Sequence, residues 1–423
     1  MFQHLKHGDV LRPYVQIVEE MIQPRLQEID KMAEVNQWKV LRSFQKYQVS
    51  DFHFNPSTGY GYNDTGREIL EKIYGDVFGG EAALVRNQII SGTHAIAISL
   101  FGLLRPGDEL MYITGAPYDT LEEVIGVRGD GKGSLKDYGI QYQMVPLLEN
   151  GDIDKEGIAQ KINSRTKVIG IQRSRGYADR PSFSIAKIKE MVEYVKSLRP
   201  DVIVFADNCY GEFTEELEPI EVGVDIMAGS LIKNPGGGLV KSGGYIVGKE
   251  ELVELAAYRM TAPGIGGEAG ASLDTLRDMF MGFFLAPHVV GEALKGAVFT
   301  AALLEKLGFA STPRWDEPRT DLIQSIEFGS AEGLIAFCQG VQKAAPVDSH
   351  VVPWPSDMPG YADPVIMAAG TFIQGSSIEF SADGPIRPPY LGFVQGGLTA
   401  SHVKIGVLTA VQELVGKNLC KLS

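Results

Sequence analysis

Three short segments carry residue types that could do chemistry together. The apolar run ALVRNQII ends in Ser91-Gly92-Thr93 and passes into the helical pattern THAIAISLFGLL. That sets a small turn and two hydroxyls at a helix N-terminus, where unpaired backbone N–H groups favour an anion such as phosphate. The run VIVFA ends in Asp207-Asn208, which places a carboxylate behind a buried strand. The run VDIMAG ends in Ser230, and Lys233 follows three residues later, ahead of Asn234, Pro235 and Gly236, Gly237 and Gly238. Glycines there let the backbone turn sharply beside a bound group. A phosphate cradle, a lone amine and an acid are the parts of a pyridoxal phosphate site. The amine forms the Schiff base, and the acid keeps the pyridine nitrogen protonated so that the ring withdraws electrons from a substrate Cα carbanion. Lys241 is the rival lysine, but the Ser-x-x-Lys spacing after a strand favours Lys233. Asp207 could cap a helix instead, although the apolar run before it predicts burial. His94 reads as a packing residue and Cys209 as a small buried hydrophobe, and neither is assigned a catalytic role.

The elements that must position these residues follow from periodicity. Between residues 68 and 248 short apolar runs alternate with helical patterns, among them ELMYIT, KVIGIQ, VIVFADN and GGYIVG. Continuous apolar strands of this kind have both faces covered, which predicts an α/β layer protein with a mainly parallel sheet. Function in such a sheet lies at the carboxyl ends of the strands. Residues 10–48 read as helix in two or more pieces, interrupted at Pro24. Residues 51–66 interleave turn residues with Phe52, Phe54, Tyr60 and Tyr62, a segment too aromatic for an idle linker. After residue 290 come a long helical pattern, a strand DLIQSIEFG, a helix AEGLIAFCQGVQKA, a strand-rich VIMAAGTFIQGSSIEFS and a last helix from His402. The expected organisation is an N-terminal helical arm and interface loop over 1–66, a large cofactor-binding domain over 67–290, and a smaller C-terminal α+β domain over 291–423.

Composition narrows the function classes. The 423 residues are 44% hydrophobic and 22% charged, within the soluble globular range. Acidic residues outnumber basic ones by 53 to 39, and a net charge of −14 argues against nucleic acid as a partner. Three scattered cysteines suit neither a disulfide framework nor zinc, so no metal is expected and a cytoplasmic location is. Neither a signal peptide nor a membrane span is expected, since the most apolar stretch, residues 279–290, is about half the length a spanning helix needs. Glycine is abundant at 49 residues, consistent with many turns.

The order Ser-Gly-Thr, Ala-Asp-Asn, Ser-x-x-Lys resembles the fold-type I pyridoxal phosphate enzymes. Within them YGYNDTGR, NQIISGTHAIA, GAPYDTLEEVIG, FADNCYGEF, SLIKNPGGGLVKSGGYIVG and DGPIRPPY are similar to the cystathionine and methionine lyase branch, and above all to its aluminium resistance proteins. The resemblance covers nearly the whole chain. It implies an aspartate aminotransferase-like fold, with a mainly parallel seven-stranded sheet in the large domain and a smaller α+β domain. It also implies that Lys233 forms the internal aldimine, Asp207 pairs with the pyridine nitrogen, Gly92, Thr93 and Ser230 bind phosphate, and Tyr118 stacks on the ring. Arg387 matches a substrate carboxylate clamp, with Arg173 and Arg175 the next candidates. Tyr60 and Tyr62 lie where the lyases place a Tyr-x-Arg that reaches a neighbouring subunit's phosphate. Here Tyr60-Gly61-Tyr62 lacks the arginine, and Arg173-Ser174-Arg175-Gly176 replaces an Asn-Pro segment.

The expected function is elimination of a thiol from a small amino acid such as cystathionine, cysteine or methionine, in a homodimer or dimer of dimers (a homotetramer) with composite active sites. An aminotransferase is the alternative on the same fold. A non-catalytic cofactor carrier or stress-related binding protein is the alternative of another class.

Overall fold

The computed structural model describes residues 2–358, 361–420 and 422. The chain opens with α1 (Gly8–Lys46), one helix of 39 residues that holds both Pro13 and Pro24. The expected interruption at Pro24 does not occur. Each proline removes a backbone donor, but Leu11, Val15, Val18 and Ile22 form a buried stripe at helical spacing that keeps the helix whole.

The chain continues through α2 (Thr65–Phe78), β1 (Ala82–Arg86), α3 (Gly92–Leu103), β2 (Glu109–Tyr112), α4 (Asp119–Ile125), β3 (Gln141–Met144), α5 (Lys155–Lys161) and β4 (Thr166–Gln172). Next come α6 (Ile185–Leu198), β5 (Ile203–Asp207), β6 (Ile226–Ser230), β7 (Gly244–Gly248), α7 (Glu250–Met260) and α8 (Leu276–Lys306). The remaining elements are β8 (Ala310–Thr312), β9 (Gln324–Glu327), α9 (Ala331–Lys343), β10 (Val365–Ala368), β11 (Ser381–Pro385), β12 (Leu391–Gln395) and α10 (Ala400–Gly416).

Two compact units result. The first, Asn36–Leu285, contains a seven-stranded sheet in the order β1-β7-β6-β5-β4-β2-β3. All pairs are parallel except those of β7 with β1 and β6. The apolar runs form its centre: every residue of β6 and β7 is buried, as is all of β4 but Lys167, whereas the polar QYQM of β3 lies on the edge. Leu100, Leu110, Val168, Phe205, Ile226 and Ile246 belong to one buried cluster that also takes in apolar residues of α3 and α7.

The second unit joins Met1–Val35 to Ala286–Ser423 around a five-stranded antiparallel sheet in the order β10-β11-β12-β9-β8. The divisions fall within α1 and α8 and not at 66/67 and 290/291. The first turns of α1 belong with the C-terminal unit because Lys404 pairs with Glu19, Lys295 pairs with Asp30 at 2.5 Å, and the His7 N–H donates to Gln412. The strand-rich stretch over 365–381 also differs from expectation. Apart from Ser381, which opens β11, only β10 is extended there, because the Glu379 carboxylate takes the N–H groups of Phe372 and Ile373 at 2.8 and 2.9 Å and diverts them from a ladder. The ladder is completed by β11 and β12, whose glycines and proline hid them from a reading by strand propensity.

Within this unit α9 lies so close to α10 that a Cβ at Gly340 would stand 2.3 Å from the Ala410 Cα. Backbone cannot yield as a side-chain tip can. Gly340→Ala should therefore cost about 1–3 kcal/mol, read as a lower urea midpoint at unchanged slope.

Candidate active site

Strand register assembles the site. Gln172 at the end of β4 lies beside Asp207 at the end of β5, and Asp207 lies beside Ala228, two residues before Ser230. Helix α3 starts against these strand ends. Its cap Ser91 accepts from the His94 N–H at 3.1 Å, and His94 Nδ1 accepts from the Ile90 N–H at 3.2 Å, which employs His94 in the turn. A Cβ at Gly92 would stand 3.2 Å from Cys209 Sγ and 3.3 Å from Ser230 Cβ, so the helix start packs closely against these side chains. First-turn N–H groups lack intrahelical partners, and the hydroxyls of Thr93 and Ser230 accompany them here.

Tyr118 ties the two sides together. Its N–H donates to Gln172 Oε1 at 2.7 Å, and its hydroxyl donates to Thr93 Oγ1 at 2.6 Å. Burial, and then the charge of Asp207, raises the pKa of that hydroxyl. Asp207 is 5% exposed, and its Oδ1 accepts from the Cys209 N–H at 3.1 Å. Burial raises its carboxyl above the usual carboxylate range even though Lys233 draws it down. Lys233 Nζ lies 4.1 Å from the centroid of the Tyr210 ring. Burial alone would lower its pKa, but Cys209, Tyr210, Asp207 and Tyr118 outweigh burial and hold the ammonium above the ordinary lysine value. Lys241, by contrast, is exposed and pairs with Asp278 at 3.0 Å.

The structure therefore brings Gly92, Thr93, Tyr118, Asp207, Ser230 and Lys233 to one place. Tyr60 and Tyr62 lie on an exposed loop, their rings stacked with centroids 5.5 Å apart. That loop is fixed by the Gly270 N–H on the Tyr60 carbonyl at 2.6 Å and by Arg67 Nη1 on the Gly61 carbonyl at 2.7 Å. Arg387 belongs to the other unit, on the exposed turn after β11, where it pairs with Asp363 at 3.0 Å.

Arg173 and Arg175, the other candidate carboxylate clamps, already have partners within this unit. Arg173 is fully buried, donating to Asn208 Oδ1 at 2.9 Å and Glu215 Oε2 at 2.8 Å, with Glu218 Oε2 at 3.5 Å. Arg175 donates through Nε and Nη2 to the Arg180 carbonyl at 3.0 and 2.7 Å. Reading the sequence missed Tyr210 and Glu212. Tyr210 and Phe213 adopt φ of 71° and 62°, a left-handed conformation that bulky residues seldom enter and that marks functional segments. Only glycine announces such a conformation in sequence.

These residues fit pyridoxal phosphate: an amine, an acid at a neighbouring strand end, and a helix start packed closely against Ser230. Among the described residues no cluster of His, Cys, Asp or Glu could hold a metal ion, and no helix is long and apolar enough to cross a membrane.

The methionine γ-lyase family model matches residues 12–415. The chain belongs to that family. The Bacillus subtilis protein YnbB is 64% identical over 420 residues, covering 99% of this chain and 100% of the relative. A Listeria monocytogenes crystal structure named for involvement in aluminium resistance is 63% identical, with a TM-score of 0.94 over 95% of this chain and 99% of that one. A Clostridium novyi structure named a carbon–sulfur lyase involved in aluminium resistance is 47% identical, with a TM-score of 0.92 over 96% of each chain. The family member described here is a pyridoxal phosphate-dependent lyase with the fold-type I architecture.

Removing Arg173 would strand the buried Glu218 carboxylate, whose pKa burial already raises and Arg173 lowers. Arg173→Met should cost about 3–5 kcal/mol by denaturant titration. Adding Glu218→Gln should recover part of that loss, which a substrate-clamp role would not produce.

Proposed function

We propose that this lyase breaks a carbon–sulfur bond with the consumption of one water, releasing a thiol (hydrogen sulfide from cysteine), ammonia and an oxo acid from a small amino acid such as cystathionine, cysteine or methionine. The observation that carries the reading is the Lys233 amine, close to the Tyr210 ring and acted on by the charge of Asp207, beside the bare start of α3. Pyridoxal phosphate, when bound, supplies an electron sink for a substrate carbanion. The chain's residues do the rest. Lys233 would be the cofactor's attachment point, and its Nζ, as a neutral amine, would take the substrate Cα proton. Asp207 holds the proton on the ring nitrogen, and burial strengthens that interaction. Gly92, Thr93 and Ser230 take the phosphate, and Tyr118, held through its N–H and hydroxyl, offers its ring as a stacking face. Arg387 exchanges Asp363 for the substrate carboxylate, a two-donor fork that fixes direction as well as charge.

We further infer a homodimer or a dimer of dimers, with the exposed Tyr60 and Tyr62 completing a neighbour's site. The names of the Listeria and Clostridium relatives place them with aluminium resistance, and the Clostridium one with carbon–sulfur cleavage.

A screen of amino acids should show equimolar thiol and ammonia release. Amino-group transfer to an added oxo acid without thiol would replace this reading with the aminotransferase one, and no turnover of any amino acid would leave a binding protein. Arg387→Lys should slow turnover and reduce the preference for a free acid over its α-amide, while the cofactor's absorbance stays unchanged.

A further inference from the structure

The segment between Asp207 and Lys233 carries a second buried acid that the reaction above does not use. Glu212 is fully buried. Its Oε1 accepts from the Tyr245 hydroxyl at 2.7 Å, while Oε2 has no hydrogen-bond partner. Its carbonyl accepts from Asn234 Nδ2 at 2.9 Å, and Asn234 directly follows Lys233. The Asn234 Oδ1 is likewise buried without a partner. On the other side of the lysine turn, a Cβ at Gly229 would stand 2.7 Å from Glu212 Oε1 and 2.6 Å from the Tyr245 hydroxyl. Glu212 thus touches the chain on both sides of Ser230–Lys233, four residues before the lysine and one after it.

We propose that Glu212 is a positioning residue for Lys233, a neutral carboxylic acid that stores a proton beneath the lysine turn. Two buried acceptor oxygens, Glu212 Oε2 and Asn234 Oδ1, accept no hydrogen bond in this cluster, and the Tyr74 hydroxyl is likewise buried without a partner. A proton on Glu212 turns one of them into a donor, whereas an ionised Glu212 leaves both unsatisfied at a cost a buried site seldom carries. The facing groups agree. Tyr245 of β7 and Tyr74 of α2 bring hydroxyls, Cys209 is a buried thiol, Glu218 brings negative charge, and Lys233 is the positive group acting on it. Burial first, and Glu218 further, push the Glu212 carboxyl up to about 8.

The sign follows from proton binding. The folded state keeps the Glu212 proton from the ordinary glutamate value of 4.5 up to about 8, while the unfolded chain loses it. The contribution of this group to stability is therefore full below 4.5 and is lost as pH rises towards 8.

The inference rests on Lys233 being the cofactor lysine only for its second readout. In the full-length holoenzyme, melting temperature is measured from pH 4.5 to 8.5 for the wild type and Glu212→Gln, and the pH midpoint of the bound cofactor's visible absorbance is measured for both. The wild type's melting temperature relative to Glu212→Gln should fall steadily across the window and level off above it, and the absorbance midpoint should shift in the variant. A difference constant with pH would overturn the stored proton. An unchanged absorbance midpoint would overturn the coupling to Lys233. Should Glu212→Gln fail to fold, Tyr245→Phe supplies the test: it removes a donor that favours ionisation, so its pH-dependent loss of stability should extend to higher pH than in the wild type. The same end point in both would overturn the proposal.

Discussion

Lys233 and Asp207 are groups of opposite sign drawn out of water within one site, and neither is affordable there without its neighbours. A carboxyl buried as deeply as Asp207 would ordinarily take up a proton and become neutral. The lysine draws it back towards ionisation, and the acid in turn holds the ammonium charged. The rest of the large unit sets these two groups in one site. The parallel register sets Asp207 beside the strand that leads to Lys233, and Gly92 lets α3 close against the same strand ends.

The loop between them is held by a second buried charge set. Arg173 reaches Asn208, Glu215 and Glu218, and Glu218 accepts from the Phe213 N–H at 2.8 Å and from Asn208 Nδ2 at 2.9 Å. These bonds are what keeps Tyr210 and Phe213 in left-handed backbone, a conformation that costs of order 1–3 kcal/mol at each. In return the Tyr210 ring lies against the Lys233 ammonium, and the Glu212 carboxyl lies among the Lys233 turn, β7 and α2. The arginine that departs from the lyase pattern at position 173 is therefore part of the scaffold that shapes the lysine's surroundings.

Much of this was readable before any coordinates. Buried parallel strands are continuous apolar runs, so β4, β5, β6 and β7 stand out, and with them the strand-end residues Asp207 and Ser230. Helix starts were legible where a small residue caps them, as at Ser91. What escaped was whatever depends on contacts distant in sequence. Pro24 reads as a break, yet the buried stripe of α1 keeps the helix continuous. SADGP, beyond its first residue, lies past the stretch that reads as strand, yet pairing with β10 and β12 makes it one. The roles of Arg173, which the sequence offers as a carboxylate clamp, and of Glu212, which it does not single out, emerge only when the fold surrounds them, because nothing local in sequence records which acid or hydroxyl will face them.

The most direct measurement is borohydride reduction of the purified holoenzyme followed by peptide mapping. A single pyridoxyl label on Lys233 is the result predicted by an amine set among Asp207, Tyr210 and Tyr118. A label on Lys241, or a protein that carries no cofactor, would contradict it.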